Sequence, residues 1–239
     1  AFTAQKQFSA SAAHELRTPL AVMQTNLEVF ARKKTPTIEE YQDIFGMIQN
    51  QTERLSHLSE VLLDMTGIQS VERSDSISLA ELTDEVCCDL ASIADQKKVE
   101  LIQEEGDCTV TGSYLLLYRA VYNLVENAIK YNHSGGKVTV KISQTKALPV
   151  AHSKPADYAL VEVTDTGIGI SPEYQEKIFA PFFRVDKSRS RAMGGAGLGL
   201  ALVAESARQH GGQVTVLASS KKGSTIALML PINSPLIEI

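Results

Sequence analysis

Before residue 66 the apolar residues fall into two helical registers. In the first, Leu16, Leu20, Met23, Leu27 and Phe30 recur at alternating steps of four and three. In the second, Ile44, Ile48, Gln51, Leu55, Leu58, Leu62 and Met65 follow the same steps. Such heptad seams keep one face of each helix against a partner. Lys33-Lys34-Thr35-Pro36 ends the first pattern, and Thr37 with Glu40 forms a capping box that opens the second. So short a break predicts an antiparallel hairpin. A single hairpin of about 65 residues cannot bury both seams, whereas two packed as a four-helix bundle can. The pattern therefore predicts a homodimer, with packing against the rest of the same chain as the plainer alternative.

Beyond Met65 the seam fades into a polar stretch containing Gly67, Ser70, Ser74, Asp75 and Ser76, which predicts a linker over 69–77 between a hairpin domain (1–68) and a second domain (78–235). Helices and strands then alternate. Ser78 and Glu81 cap a helix to about Lys97, short strands follow near Val99–Gln103 and Cys108–Thr111, and a long helix runs from about Ser113 to Asn132. Val138, Val140 and Ile142 alternate, as do neighbours of Val161 and Val163, so both segments read as strands, with a long loop between Gln144 and Asp157. A helix over Leu198–His210 and strands over Gln213–Ala218 and Ser224–Leu230 complete an α+β reading, a helical hairpin followed by an α/β sandwich.

Composition narrows the function. A formal charge of −5 argues against a nucleic-acid binder, which needs a basic face, and against a polybasic membrane-surface module. The three cysteines, Cys87, Cys88 and Cys108, form no CxxC pattern and read as reduced, buried structural thiols. Apolar runs are too short for a membrane span. The first residues read as the inside of a helix, which leaves room for an anchor upstream.

In Ala13-His14-Glu15-Leu16-Arg17-Thr18-Pro19-Leu20, His14 lies two residues before a seam position, about 200° around the helix, and so faces solvent. A neutral imidazole is a good nucleophile, and the Glu15 carboxylate beside it can orient the ring and take its proton. Thr18, four residues on, shares that face. Pro19 cannot donate to the Glu15 carbonyl and should bend the helix there. On the helix pattern alone, the plainer reading of His14 is a polar residue on a solvated face.

The second domain carries four motifs in order. Asn123, Asn127 and Lys130 share one helix face, where an amide oxygen can ligate Mg²⁺ and a lysine can meet phosphate, although a plain polar face reads the same way. Asp165-Thr166-Gly167-Ile168-Gly169 follows a strand, placing a carboxylate able to accept from an exocyclic amine beside a tight turn. Ile178-Phe179-Ala180-Pro181-Phe182-Phe183-Arg184 is an aromatic run that reads mainly as core, ending in an arginine able to reach phosphate; the polar, basic stretch from Val185 to Gly194 would suit a lid. Gly194-Gly195-Ala196-Gly197-Leu198-Gly199 leads into a helix, a nest of amides for an anion. It lacks the Lys-Ser/Thr end of a Walker loop, and no GxGxxG is present.

The HELRTPL segment, with Phe8 upstream, resembles the phosphoacceptor motif of bacterial sensor histidine kinases. The four later motifs, with His210-Gly211-Gly212, Gly223-Ser224-Thr225 and Pro231, resemble the Bergerat-type ATP-binding domain shared by histidine kinases, gyrase-type topoisomerases, Hsp90 and mismatch-repair ATPases. The resemblance implies a dimeric helical domain followed by a GHKL sandwich, with autophosphorylation of His14 from ATP. Glu15 would be the general base, and Thr18 would orient water when a partner is dephosphorylated. It further implies nucleotide contacts from Asn123, Asn127, Lys130, Tyr131, Asp165, Gly167, Gly169, Arg184, Gly195, Gly197, Leu198, Gly199 and Thr225, with Asn127 holding Mg²⁺. The implied partners are a second copy and a response-regulator receiver domain, and the implied location is the cytoplasmic side of a protein anchored in the bacterial membrane. Ala13 and Ala196 depart from the usual serine and serine or threonine. Hydrolytic relatives carry a glutamate four residues before the Mg²⁺-binding asparagine, where this chain has Asn123. An ATP-hydrolysing machine and a non-catalytic nucleotide-sensing dimer are the competing readings.

Overall fold

A computed structural model describes residues 2–67, 71–147, 156–185 and 197–232. The chain divides into two compact units, one built on the residues up to Thr66 and the other on those from Gly67 onward.

The first unit holds α1 (Phe2–Ala31) and α2 (Ile38–Gly67). The capping box forms as read: the Thr37 hydroxyl accepts the Glu40 N–H at 3.3 Å, and the Glu40 carboxylate accepts the Thr37 N–H at 3.1 Å. The helices are antiparallel. Near the turn Phe30 meets Tyr41 edge-on with ring centroids 5.0 Å apart, and further along Arg54 lies 3.9 Å from Glu15. Leu58 and Val61 are buried, but the seam residues Leu20 and Leu27 remain 52% and 46% exposed, so the chain by itself covers only part of its apolar stripe.

In the second unit, β2 (Glu100–Gln103), β4 (Lys137–Ala147), β5 (Ala156–Asp165), β7 (Gly223–Pro231) and β6 (Gln213–Ser220) form one sheet in the order β2-β4-β5-β7-β6. The β2–β4 pair is parallel and the others are antiparallel. Among the described residues three helices pack on this sheet: α3 (Leu79–Lys97), α4 (Tyr114–Lys130) and α5 (Gly199–Gln209). The alternation read in the sequence explains the layering, because Val138, Val140, Ile142, Val161 and Val163 are buried with Leu82, Leu90, Leu117, Val121 and Leu124 from the helices. The fold is α+β.

Three readings change. Asp75, placed in the polar linker, opens β1 (Asp75–Ser78), which pairs antiparallel with β3 (Thr109–Gly112). The loop expected over 144–157 is shorter, because the β4–β5 pairing runs out to Ala147 opposite Ala156; cross-strand hydrogen bonds extend strands that carry little apolar signal. Cys108 is buried and Cys87 half-buried, but Cys88 is exposed, because the buried stripe of α3 passes through Val86 and Leu90 on either side of it. Burial, helped by Asp84, pushes the Cys87 thiol up to about 11. Pro19 lies within α1, which continues through it to Ala31. Among the described residues no helix is long and apolar enough to cross a membrane.

Candidate functional sites

In the first unit His14 is exposed, as its place off the seam requires. The Thr18 hydroxyl donates to the His14 carbonyl at 3.0 Å, so the threonine is anchored one turn below the imidazole. Glu15 is half-buried and tied toward α2 by Arg54, a partner that the sequence pattern did not single out. A shallow recess beside His14 is lined by Arg17, Thr18, Ala21, Val22, Thr25 and Asn26.

In the second unit α4 forms because Ser113 caps it and its apolar residues recur on one stripe; Leu117, Val121, Leu124 and Val125 are buried. That burial turns Asn123, Asn127 and Lys130 to a half-buried edge. The Asn123 side-chain amide donates to the Arg119 carbonyl at 2.8 Å, and the Asn127 amide donates to the Asn123 carbonyl at 2.8 Å. Each NH₂ group is thereby engaged with the backbone of its own helix. The glycine-rich segment meets this edge. A Cβ on Gly199 would stand 2.4 Å from Asn123 Oδ1 and 3.6 Å from Asn127 Nδ2, so with the Asn123 amide where it stands, glycine is what lets the first turn of α5 come so close.

Asp165 ends β5. Its Oδ1 accepts the Gly167 N–H at 2.7 Å and its Oδ2 accepts the Ser224 hydroxyl at 2.6 Å. The loop beyond it touches α4, since the Ile168 N–H donates to the Tyr131 carbonyl at 3.3 Å; Gly169 turns the chain with φ 70°. The aromatic run comes to the same neighbourhood. The Phe182 N–H donates to the Gly197 carbonyl at 2.8 Å, with Phe182 at φ 63° and Gly197 at φ 72°. Positive φ is unusual for a phenylalanine, and the bond to Gly197 helps hold it there. Arg184, two residues on, is half-buried.

The structure thus brings Asn123, Asn127, Gly199, Gly197 and the backbone of Phe182 into one series of contacts, and joins Asp165, Gly167 and Tyr131 in a second that shares α4. Leu198 is buried in the core, so it can offer a ligand only its backbone. Thr225 reaches Thr164 at 3.0 Å rather than Asp165. Ser224 is the residue opposite Asp165 in register, a pairing that strand alternation within Gly223-Ser224-Thr225 does not specify. Gly195 lies outside the described residues. No group of three or more His, Cys, Asp or Glu suited to a metal occurs among the described residues. Asn127 offers a single amide oxygen, which suits Mg²⁺ that takes its other ligands from phosphate and water.

Residues 112–234 match the family described as histidine kinase-, DNA gyrase B-, and HSP90-like ATPase, and residues 4–70 match the His Kinase A (phospho-acceptor) domain. The sensor histidine kinase RppB of Synechocystis sp. is 34% identical over 235 residues, covering 96% of this chain and 50% of RppB. The sensor histidine kinase WalK of Bacillus subtilis is 31% identical over 231 residues, covering 95% of this chain and 36% of WalK. The chain therefore spans about half the length of these curated relatives or less. Among solved structures, Acinetobacter baumannii histidine kinase AdeS shares the fold with a TM-score of 0.68 at 22% identity, over 92% of this chain and 98% of that one. Histidine kinase ThkA, solved in complex with the response regulator protein TrrA, gives a TM-score of 0.68 at 20% identity, over 95% of this chain and 61% of that one. With a phospho-acceptor helical pair followed by an ATPase-type sandwich on one polypeptide, this chain belongs to the bacterial sensor histidine kinase family.

Proposed function

We propose that the chain is a kinase core that binds ATP in the second unit, transfers the γ-phosphoryl group to His14, and passes it to an aspartate of a response-regulator receiver domain. The observation that carries this reading is the pairing of an exposed nucleophile with a site that lacks a hydrolytic base. His14 stands in solvent beside Glu15, while position 123 holds an amide fixed by its bond to the Arg119 carbonyl. An amide cannot take a proton from water, so the site favours presenting the phosphoryl group to an outside nucleophile.

Each residue then has a task. The Asp165 carboxylate keeps acceptor capacity beyond its two bonds, enough for the exocyclic amine of adenine. The amides at the start of α5 face phosphate oxygens, and Lys130 and Arg184 offset charge as the leaving group departs. Asn127 holds Mg²⁺, which when bound neutralises phosphate charge. Glu15 takes the imidazole proton as the nitrogen attacks, and its tie to Arg54 limits where the carboxylate can stand. Thr18, anchored to the His14 carbonyl, positions water when the phosphorylated partner is hydrolysed.

The half-covered seam at Leu20 and Leu27 supports homodimerisation into a four-helix bundle, which would remove that apolar surface from water. The recess beside His14, with Val22 exposed, supports receiver docking on the same face as the nucleophile, and the ThkA structure was solved with a response regulator. The test is incubation with ATP and Mg²⁺. Kinase action gives a protein-bound phosphoryl group that is lost in acid and kept in base. Steady phosphate release without labelled protein would instead favour an ATPase.

A further inference from the structure

His210 takes no part in the contacts assigned above, yet it lies at the other end of the helix that makes them. Its ring is buried, and both ring nitrogens are engaged. Nδ1 lies 2.7 Å from the Ser206 carbonyl oxygen, and Nε2 lies 2.9 Å from the Ser113 backbone nitrogen. A carbonyl oxygen only accepts and a backbone N–H only donates, so Nδ1 carries the proton and Nε2 is bare. The two partners select one neutral tautomer.

Those partners belong to different helices. His210 is the C-cap of α5, and Ser113 is the N-cap of α4. At the opposite end of the antiparallel pair, Gly199 of α5 sits against Asn123 and Asn127 of α4. The two helices are therefore tied at both ends, by the imidazole at one and by the glycine contact at the other. Tilting α5 about the glycine contact would re-aim its N-terminal amides against Asn127, and sliding it along α4 would change their spacing. Gly112 closes the space behind the ring: a Cβ there would stand 2.6 Å from His210 Cδ2 and 2.7 Å from Nε2.

We propose that His210 is a positioning residue for nucleotide binding: its Nε2–Ser113 bond sets the seating of α5 on α4 and so the spacing between the α5 amides and the Asn123–Asn127 edge. The proposal rests on the nucleotide reading of the second unit. It differs from a space-filling role in assigning the effect to one ring nitrogen, because packing alone would depend on shape.

Three variants of the whole chain separate these roles. In His210→Gln the side-chain oxygen reaches about as far as Nε2 and keeps an acceptor for Ser113. In His210→Asn the shorter amide matches the Nδ1 donor and leaves Ser113 unanswered. Gly112→Ala pushes the intact ring away from Ser113. Equilibrium binding of a fluorescent ATP analogue, KM for ATP and labelling at saturating ATP are measured on each, with thermal unfolding to confirm that each is folded. His210→Asn and Gly112→Ala are expected to raise Kd and KM about tenfold, as misplacement of the phosphate-facing amides would, with saturated labelling within about twofold. His210→Gln is expected to stay within about twofold of the parent in all three. Equal weakening by Asn and Gln, or unchanged affinity in Gly112→Ala, would overturn the proposal. If His210→Asn does not fold, the comparison of Gly112→Ala with His210→Gln decides. A parent chain that binds no ATP overturns the nucleotide reading itself, a failure separate from any pattern among the variants.

Discussion

Asp165 and Ser224 face each other across the β5–β7 pair, and the serine hydroxyl donates to the aspartate at 2.6 Å. The Gly167 N–H holds the other carboxylate oxygen, so the group is fixed in orientation before any ligand arrives. Such preorganisation removes part of the ordering cost of binding.

Asp165→Asn is accordingly expected to lower ATP affinity about tenfold or more, since hydrogen bonds to a charged group carry about 1.5–3 kcal/mol. The fold should survive, because an amide keeps one acceptor for Gly167 and the serine hydroxyl can rotate to accept. Isothermal calorimetry with ATP beside thermal unfolding checks both halves. Unchanged affinity would remove Asp165 from the nucleotide site.

Gly199→Ala separates helix stability from binding. Alanine favours a helix over glycine by about 1 kcal/mol, so α5 itself should not suffer. The new methyl would collide with Asn123 Oδ1, 2.4 Å away, and must displace either that amide or the helix start, each of which alters the nucleotide-facing edge. ATP binding is expected to fall by about tenfold or more while the unfolding temperature moves by only a few degrees. Equal loss of both would mean that the close approach serves packing alone.

Thr18→Ala removes a hydroxyl that donates to the backbone of its own helix, at the His14 carbonyl. Labelling of His14 should stay within about twofold, and dephosphorylation of a phosphorylated receiver domain should slow about tenfold or more, as expected for a lost positioning group. Equal loss of the two activities would count against the role given to Thr18.

Much of this was legible from residue order. The heptads of Leu16–Phe30 and Ile44–Met65 and the Thr37–Glu40 box gave the hairpin, because periodicity and capping are local. The alternation at Val138–Ile142 and at Val161 and Val163 gave buried strands for the same reason. What stayed hidden depends on partners distant in sequence. β1 leaves no local signal, because Asp75-Ser76 is polar and becomes a strand only through its pairing with Gly112 and Thr111. That Ser224 rather than Thr225 faces Asp165 is a matter of register, set by the pairing of β5 with β7. Arg54 and His210 lie far in sequence from the groups they hold, at Glu15 and Ser113.

His210 also predicts a dependence on pH. Burial holds its imidazole below the ordinary value, the Ser206 carbonyl opposes that shift, and the Arg73 charge adds to it. The unfolded chain therefore takes up this proton at a higher pH than the folded one. The stabilisation is complete above about pH 6.5 and is lost as pH falls toward the folded value, at no more than about 1.4 kcal/mol per pH unit for one proton. Denaturant unfolding between pH 7.5 and 5 should show the second unit weakening on acidification, and His210→Gln should flatten that trend. A parent and variant with parallel pH profiles would contradict it.

Locating the phosphoryl group decides whether His14 is the acceptor. The chain is incubated with γ-labelled ATP and Mg²⁺, digested under basic conditions and mapped by peptide. Label on the peptide containing His14, absent from His14→Gln while that variant still binds ATP, is the predicted result; label that persists in His14→Gln as an acid-labile adduct would contradict it.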